Sequence, residues 1–166
     1  MRMLAICVVL LTQFSFTQNA SNQEDNRATA YCDFDDGQEV SVRYSNSVAT
    51  SRDEPHNGRV WMPGGSAMTL FTGATLALNN SSIPAGAYSV YVIPNKKEWT
   101  LIVNKNVNAT TAYDEKQDVA RAAMELGEVN SPDKQLQVSF AHTGAKVCSI
   151  RLYYGKTGAF AEFTEQ

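Results

Sequence analysis

The residues that most often carry chemistry in proteins are few in this chain. It has two histidines, His56 and His142, and both lie in turn-forming stretches where we expect them at the surface. A nucleophilic triad needs a histidine base beside a serine or cysteine, and a zinc site needs three or four nitrogen or sulfur ligands. Neither pattern occurs in the sequence, so we predict no catalytic triad, no metal and no cofactor.

Carboxylates offer other routes to chemistry. Asp33, Asp35 and Asp36 alternate as the ligands of a calcium loop do, but the remaining ligands are missing, so hairpin turn chemistry is the favoured interpretation. Paired carboxylates also hydrolyse glycosidic bonds, and Glu98 and the pair Asp114-Glu115 could contribute, although nothing in the sequence sets their separation. A carboxylate-dependent hydrolase of the cell envelope is therefore the alternative function, with no catalytic residue assigned.

Aromatic side chains are the main candidates for ligand binding, because a flat ring with a polar edge suits a sugar or a peptide. Trp61, Tyr153 and Tyr154, together with Arg43, are the predicted ligand-binding residues. Core packing is the competing interpretation for each ring. Tyr153 and Tyr154 are adjacent in a β-like run, so they point to opposite faces and at most one of them should lie inside.

Composition and charge limit the class of partner. The 166 residues are 43% hydrophobic with a net charge of -3. The basic excess that binds a phosphate backbone is absent, so we predict no nucleic-acid partner.

The first 20 residues differ from the rest of the chain. Arg2 precedes the apolar run Leu4–Leu11, which is too short to span a bilayer. We predict a signal peptide at 1–20, a flexible arm at 21–27 and a single domain at 28–166. The mature domain is expected to be periplasmic or extracellular, with no stable membrane insertion after leader removal.

Two cysteines, Cys32 and Cys148, follow the predicted leader. An even pair in an exported chain predicts a disulfide, and two buried thiols are the alternative. The bridge would join the first strand to the penultimate one.

The β signal is strongest in the middle of the chain. Two apolar, β-prone runs, Ala87–Ile93 and Trp99–Val103, flank the turn formers Pro94–Lys97, which predicts a hairpin. Both faces of each run are apolar, so we expect this hairpin to be central to the fold.

Shorter alternating runs recur on both sides of this hairpin. Further strands are predicted at 28–34, 39–44, 67–72, 75–78, 136–140, 147–154 and 159–163, and residues 59–61 are predicted to form a short strand or the entry to one. Turns or breaks are predicted at 35–37, 79–82, 131–133, 142–144 and 155–158. Such spacing is typical of an all-β fold, here an antiparallel β-sandwich that is jelly-roll-like or a partly closed barrel. Residues 114–126 fit either a capped helix or a strand, and we favour at most one short helix near 114–117 followed by a strand.

Several stretches together resemble a known family. They read YCDFDDGQEVSVRYS, RVW, IPAGAYSVYVIPNKKEWTLIVNK and YDEKQDVAR, with a closing strand pair that begins at Cys148. These stretches resemble the bacterial secreted family catalogued as domain of unknown function 2911, over nearly everything after the leader. The resemblance implies an exported, compact β domain, and the family has no established activity.

The chain departs from the pattern of that family at polar positions. After Val60-Trp61 the family usually has an arginine and a small polar cluster, where this chain has the segment Met62–Thr69. Near the C-terminus the family tends to show Asp-Trp-Glu followed by Arg, where this chain has Tyr153-Tyr154-Gly155. We expect that a site formed by those groups in other members is altered here.

These patterns favour a non-catalytic function. We predict an exported domain that binds a small molecule, a glycan or an envelope protein through Arg43, Trp61 and Tyr153 or Tyr154.

Overall fold

One continuous antiparallel sheet forms the fold. A computed structural model describes residues 26–48, 54–107 and 112–166. The predicted leader at 1–20 and residues 21–25 of the predicted arm lie outside this part of the chain. Within it the strands are β1 Arg27–Asp33, β2 Glu39–Ser45, β3 Met68–Thr72, β4 Leu76–Leu78, β5 Ser81–Ile83, β6 Gly86–Ile93, β7 Trp99–Asn104, β8 Asp118–Gly144 and β9 Val147–Glu165. Their order in the sheet is β1-β2-β3-β6-β7-β8-β9-β4-β5, which confirms the all-β prediction.

The sheet folds over on itself because β8 and β9 are long and change partners. β8 pairs with β7 as far as Met124 and with β9 from Glu125 onward. β9 then ends beside β4. β1, which stands at one end of the strand order, therefore lies against β8 in the opposite layer. The result is a sandwich made from two layers of one sheet.

The space between the layers is filled by apolar side chains. The predicted central hairpin is confirmed as β6 and β7, which pair with Val90 opposite Val103. Three rings pack at one side of the core: Trp61 lies edge-on to Trp99, with ring centroids 5.5 Å apart, and to Tyr154, with centroids 5.0 Å apart. This packing closes the interior to solvent.

The ambiguous stretch after residue 112 is resolved as predicted. Asp114 accepts a hydrogen bond from the Lys116 amide at 3.0 Å and begins a single 3₁₀ turn, Glu115–Gln117. β8 begins at the next residue, so the region that follows is a strand and not a helix.

Of the alternatives predicted for 59–61, a short strand or a strand entry, the structure shows only an isolated bridge between Trp61 and Val92. Two other predicted boundaries are wrong. The turn predicted at 79–82 is shorter, because Ser81–Ile83 pair with β4. The arm predicted to reach residue 27 ends earlier, because Arg27 already pairs with Ser45.

The breaks predicted at 131–133 and 155–158 do not end strands. β8 and β9 run through them, and shifts of register between Glu128 and Gln137 absorb the irregularity. Gly155 contributes a φ of 58°, which only glycine adopts at little cost. Pairing continues on both sides of the irregular segment, so it forms a bulged bend in the ribbon where a turn was expected.

The predicted disulfide joins the two layers. Cys32 of β1 and Cys148 of β9 are bonded, with their Cα atoms 6.2 Å apart, and both residues are buried. That separation lies within the normal range for a bridge, so the backbone accommodates it without displacement.

Replacing both cysteines with alanine should lower the free energy of unfolding by about 2–5 kcal/mol. The reason is that the bridge, which joins residues 116 positions apart, no longer restricts the conformations of the unfolded chain. Urea unfolding with and without reductant measures this. The native protein should lose a similar amount on reduction, whereas the double variant should be insensitive to reductant. Equal stability of native protein, reduced protein and variant would contradict a structural role for the bridge.

A buried carboxyl group lies at the end of β9. Glu165 is 6% exposed, and within the described part of the chain its Oε2 has no hydrogen-bond partner. The Glu165 amide donates to the Lys146 carbonyl at 2.8 Å. Burial first, and then the charge of Asp36, raise the pKa of Glu165, and Lys146 opposes them.

Replacing Glu165 with glutamine should raise the free energy of unfolding at neutral pH and flatten its pH dependence. A carboxyl whose folded pKa is raised stabilises the fold fully below its unfolded pKa, and that stabilisation is lost as pH rises through the folded pKa. Urea unfolding from mildly acidic to mildly alkaline pH tests this, with Glu162→Gln, an exposed glutamate on the same strand, as the control. A native protein that gains stability relative to Glu165→Gln as pH rises would contradict the prediction.

Candidate functional site

The four predicted binding residues do not form one site. Trp61 and Tyr154 are 5% and 8% exposed and pack in the core. Tyr153 points outward from β9 and packs edge-on to Phe160, with ring centroids 6.0 Å apart. Arg43 is exposed on β2, in a different part of the sheet. The expectation that only one of the two adjacent tyrosines lies inside is confirmed.

Arg43 belongs to an exposed surface formed by three neighbouring strands. Alternate residues of β1, β2 and β3 point into the core, so the residues between them point to solvent. We call this surface the outer face; it consists of Arg27, Thr29, Tyr31, Asp33, Glu39, Ser41, Arg43, Ser45, Thr69 and Phe71.

Two aromatic rings stand in one row across the outer face. The register places Tyr31 opposite Ser41 and Ser41 opposite Phe71, so the rings are two strand spacings apart, about 10 Å. Tyr31 is 62% exposed and Phe71 41%, whereas Ser41 between them is only 8% exposed. Ser41 points outward, so we attribute its low exposure to cover by the two rings. The row is therefore an aromatic strip that faces solvent.

A polar row lies beside the aromatic strip. The register aligns Thr29, Arg43, Thr69 and Ser89 across β1, β2, β3 and β6. Successive rows on one face of a sheet are about 7 Å apart. Hydroxyl and guanidinium donors therefore stand one row away from the rings.

Charge is distributed unevenly along the outer face. Arg27 and Arg43 lie on one side of the Tyr31 row, whereas Asp33 and Glu39, which are opposite each other in the register, lie on the other side. The face thus has a cationic end and an anionic end, with the aromatic strip between them.

A hydrogen-bonded loop borders the polar row. The row continues from Ser89 to Asn104 on β7, and Asn104 is 1% exposed. Its Nδ2 donates to the Asp114 carbonyl at 2.9 Å and to Asp118 Oδ1 at 2.7 Å, and its Oδ1 accepts from the Asn106 amide at 3.0 Å. Asn104 thereby ties the start of β8 to the end of β7.

Tyr113 and Arg121 complete this arrangement, which we call the clamp. The Tyr113 hydroxyl donates to Asp118 Oδ2 at 2.7 Å, and Arg121 donates to the same oxygen through Nε at 2.7 Å and to the Tyr113 hydroxyl through Nη2 at 2.6 Å. Arg121 also pairs with Glu115 at 3.1 Å. The Tyr113 ring packs edge-on to the ring of Tyr91, which points outward from β6. The groups of the clamp satisfy one another, so it is built to hold structure.

A wide cleft lies in the other layer. It has a volume of about 520 Å³ and is bordered by Glu125, Glu162 and Phe160. The Phe160 ring lies over the cross-strand glycine pair Gly127 and Gly158, where a Cβ at Gly158 would come within 2.8 Å of the ring. Phe160 points outward because it covers bare backbone, a pairing that stabilises glycines in sheets.

The histidines take structural or peripheral positions. His142 Nε2 lies 3.4 Å from Asp35 Oδ1, and His56 borders a cavity of about 180 Å³ next to Trp61. No group of three His, Cys, Asp or Glu side chains in the described ranges is arranged to hold a metal ion. No helix in those ranges is long and apolar enough to cross a membrane.

Comparison with known proteins identifies the family. The family model described as "Protein of unknown function (DUF2911)" matches residues 25–163. The chain belongs to the DUF2911 family. Searches of curated proteins and of solved structures gave no match.

The stretches that carry the family resemblance meet on one side of this DUF2911 domain. The first supplies Tyr31 and Arg43 of the outer face, the central hairpin supplies Asn104, and YDEKQDVAR supplies Tyr113 and Arg121 of the clamp. The family pattern thus describes both the core and this surface.

Tyr31, Phe71 and Phe160 are not among the residues predicted to bind a ligand. A signal for each is present in the sequence, because each ring lies between two residues that alternation assigns to the interior, as Tyr31 lies between Ala30 and Cys32. An aromatic residue at an outward position of a half-buried strand is the feature to look for.

Replacing Tyr113 with phenylalanine should lower the free energy of unfolding by about 1–3 kcal/mol at neutral pH, because Asp118 and Arg121 each lose a partner. Burial and the bond to Asp118 raise the pKa of Tyr113 to about 12. Its contribution is therefore present below its unfolded pKa, near 10, and is lost as pH rises toward the folded value. In urea unfolding, the difference in the free energy of unfolding between native protein and variant should narrow as pH rises above the unfolded pKa.

Tyr31→Phe, which removes the hydroxyl of an exposed tyrosine, is the matched control and should show neither effect. A gap that stays constant or widens at alkaline pH would show that the clamp does not depend on the Tyr113 hydroxyl.

Proposed function

We propose that this DUF2911 domain is an exported, non-catalytic module that binds a glycan on its outer face. The observation that carries the proposal is the strip formed by Tyr31 and Phe71, two solvent-facing rings held two strands apart beside a row of polar donors. A structural role for these rings leaves their exposure unexplained, because they are not needed to fill the core.

The chemistry of the strip suits a sugar chain. The apolar faces of sugar rings stack on aromatic side chains, while sugar hydroxyls need donors and acceptors nearby. Thr29, Arg43 and Thr69 provide these one row away. The surface is flat and open, which favours an extended oligosaccharide over a small molecule that must be enclosed.

The strip is also held rigidly, which lowers the entropic cost of binding. Tyr31 adjoins Cys32, whose disulfide fixes the edge strand to the opposite layer. Phe71 lies on β3, which is paired on both sides.

Export is part of the proposal. The disulfide fits an oxidising compartment, and the predicted signal peptide at 1–20 has the same implication. We therefore propose a periplasmic or extracellular location, where cell-envelope and environmental glycans are available.

A hydrolase is the second candidate, because Glu125 and Glu162 border one open cleft. Two carboxylates on a cleft are the minimum that glycoside hydrolysis needs. Glu98 and Asp114, two of the carboxylates considered from the sequence, lie near opposite ends of β7, and Asp114 caps the 3₁₀ turn.

Replacing Tyr31 or Phe71 with alanine should weaken glycan binding by about tenfold each, roughly 1.4 kcal/mol, because a stacking surface is lost. A glycan array selects the oligosaccharide, and titration calorimetry then measures the affinities of both variants. Met62→Ala removes an exposed apolar side chain elsewhere and should bind normally. Circular dichroism confirms that each variant is folded.

Binding that survives both ring substitutions would refute the outer face as the site. Hydrolysis of the selected oligosaccharide, lost in Glu125→Gln or Glu162→Gln, would favour the second candidate. The glutamine variants should otherwise bind as the native protein does.

A further inference from the structure

We infer that the glycan bound on the outer face is anionic and that Arg43 receives its carboxylate. This inference rests on the proposed function and specifies the class of sugar that the same site recognises.

Arg43 is the first observation. Its side chain is exposed on the outer face, and among the described residues it makes no ion pair and no side-chain hydrogen bond. A guanidinium group presents several donors in a fixed plane that matches a carboxylate. Arg121, in contrast, is fully engaged within the clamp. Arg43 is therefore available for a ligand where Arg121 is not.

A small hollow beside Arg43 is the second observation. It has a volume of about 60 Å³, roughly the space of two water molecules. Arg27 and Arg43 both border it, and the rest of its lining is formed by Tyr44, Ser45, Ser66, Ala67 and Thr69. Its size suits a group as small as a carboxylate.

The wall of this hollow is fixed by backbone packing. The turn Pro63–Gly65 lies against β2, where a Cβ on Gly64 would come within 2.3 Å of the Ser45 carbonyl oxygen. Gly64 also has a φ of 74°. Only glycine fits this position, so Ser66 is held at the border of the hollow by a rigid turn.

The distances on the outer face connect the hollow with the aromatic strip. Arg43 stands one row from Ser41 and the rings, about 7 Å along the strand. A sugar ring stacked on Tyr31 or Phe71 can therefore place a carboxylate substituent at Arg43. Asp33 and Glu39, on the other side of the strip, repel a carboxylate and leave the arginine end as the favourable orientation.

The test compares charged and neutral forms of the same sugar. Oligomers of galacturonate, glucuronate and mannuronate are titrated into the protein, each beside its carboxyl-reduced, neutral counterpart. We expect at least one acidic oligomer to bind about tenfold or more tightly than its reduced form, with a preference that falls as salt concentration rises. Arg43→Gln should abolish the preference, so that the acidic and the reduced form bind the variant with equal affinity.

Two further variants make the result specific. Arg43→Lys should keep part of the preference, because the charge remains while the paired donors are lost. Arg59→Gln, which removes an exposed arginine outside the outer face, should keep all of it.

The two possible failures can be told apart. Equal affinity for acidic and reduced forms, or a preference that persists in Arg43→Gln, overturns the inference while ring-dependent binding upholds the proposed function. Absence of ring-dependent binding to any oligosaccharide overturns both. Arg43-dependent binding of an acidic peptide, without binding of any acidic oligomer, would overturn the assignment to a sugar.

Discussion

The outer face depends on how β1 is held at the end of the strand order. An end strand presents unpaired backbone groups on its free side and is prone to fray or to recruit another chain. In this domain β1 is paired with β2, lies against β8 in the opposite layer, and is bonded to β9 through Cys32 and Cys148. Tyr31 and Cys32 are neighbours on β1, so Cys32 points into the core and Tyr31 into solvent. The disulfide that joins the two layers therefore also fixes the backbone beside an exposed ring.

The core and the proposed binding surface are formed by different side chains. The core contains the rings of Trp61, Trp99 and Tyr154. The proposed binding residues lie outside it, on the solvent-facing side of β1, β2 and β3. The clamp covers part of the neighbouring sheet surface, because the Tyr113 ring packs on Tyr91 of β6, whereas the outward residues of β1, β2 and β3 lie outside the clamp.

Sequence patterns predicted the parts of this fold that depend on local alternation. The central hairpin, the first hairpin and the 3₁₀ turn at Asp114 follow from residue types over a few positions. The course of β8 and β9 could not be predicted in this way, because turn-forming residues at 131–133 and 155–158 disfavour regular pairing locally. Pairing resumes on both sides of these residues because each strand has the other as its partner. The two interpretations of Trp61, core or surface, could not be separated for a related reason: alternation states which residues share a face, but long-range packing decides which face is covered, and Trp61 is buried.

One of the two segments expected from the sequence to depart from the family pattern, 62–69, borders the hollow beside Arg43. The segment 62–69 contains the turn that packs against Ser45, and it supplies Ser66 and Thr69 to the lining of the hollow. The rings and Arg43 come from neighbouring strands whose pairing does not depend on that segment. A change in 62–69 can therefore alter the shape and polarity of the hollow while the aromatic strip and the clamp are retained. Under the proposed function, the strands of the outer face fix where the glycan lies, and the segment after Trp61 shapes the hollow that receives its carboxylate.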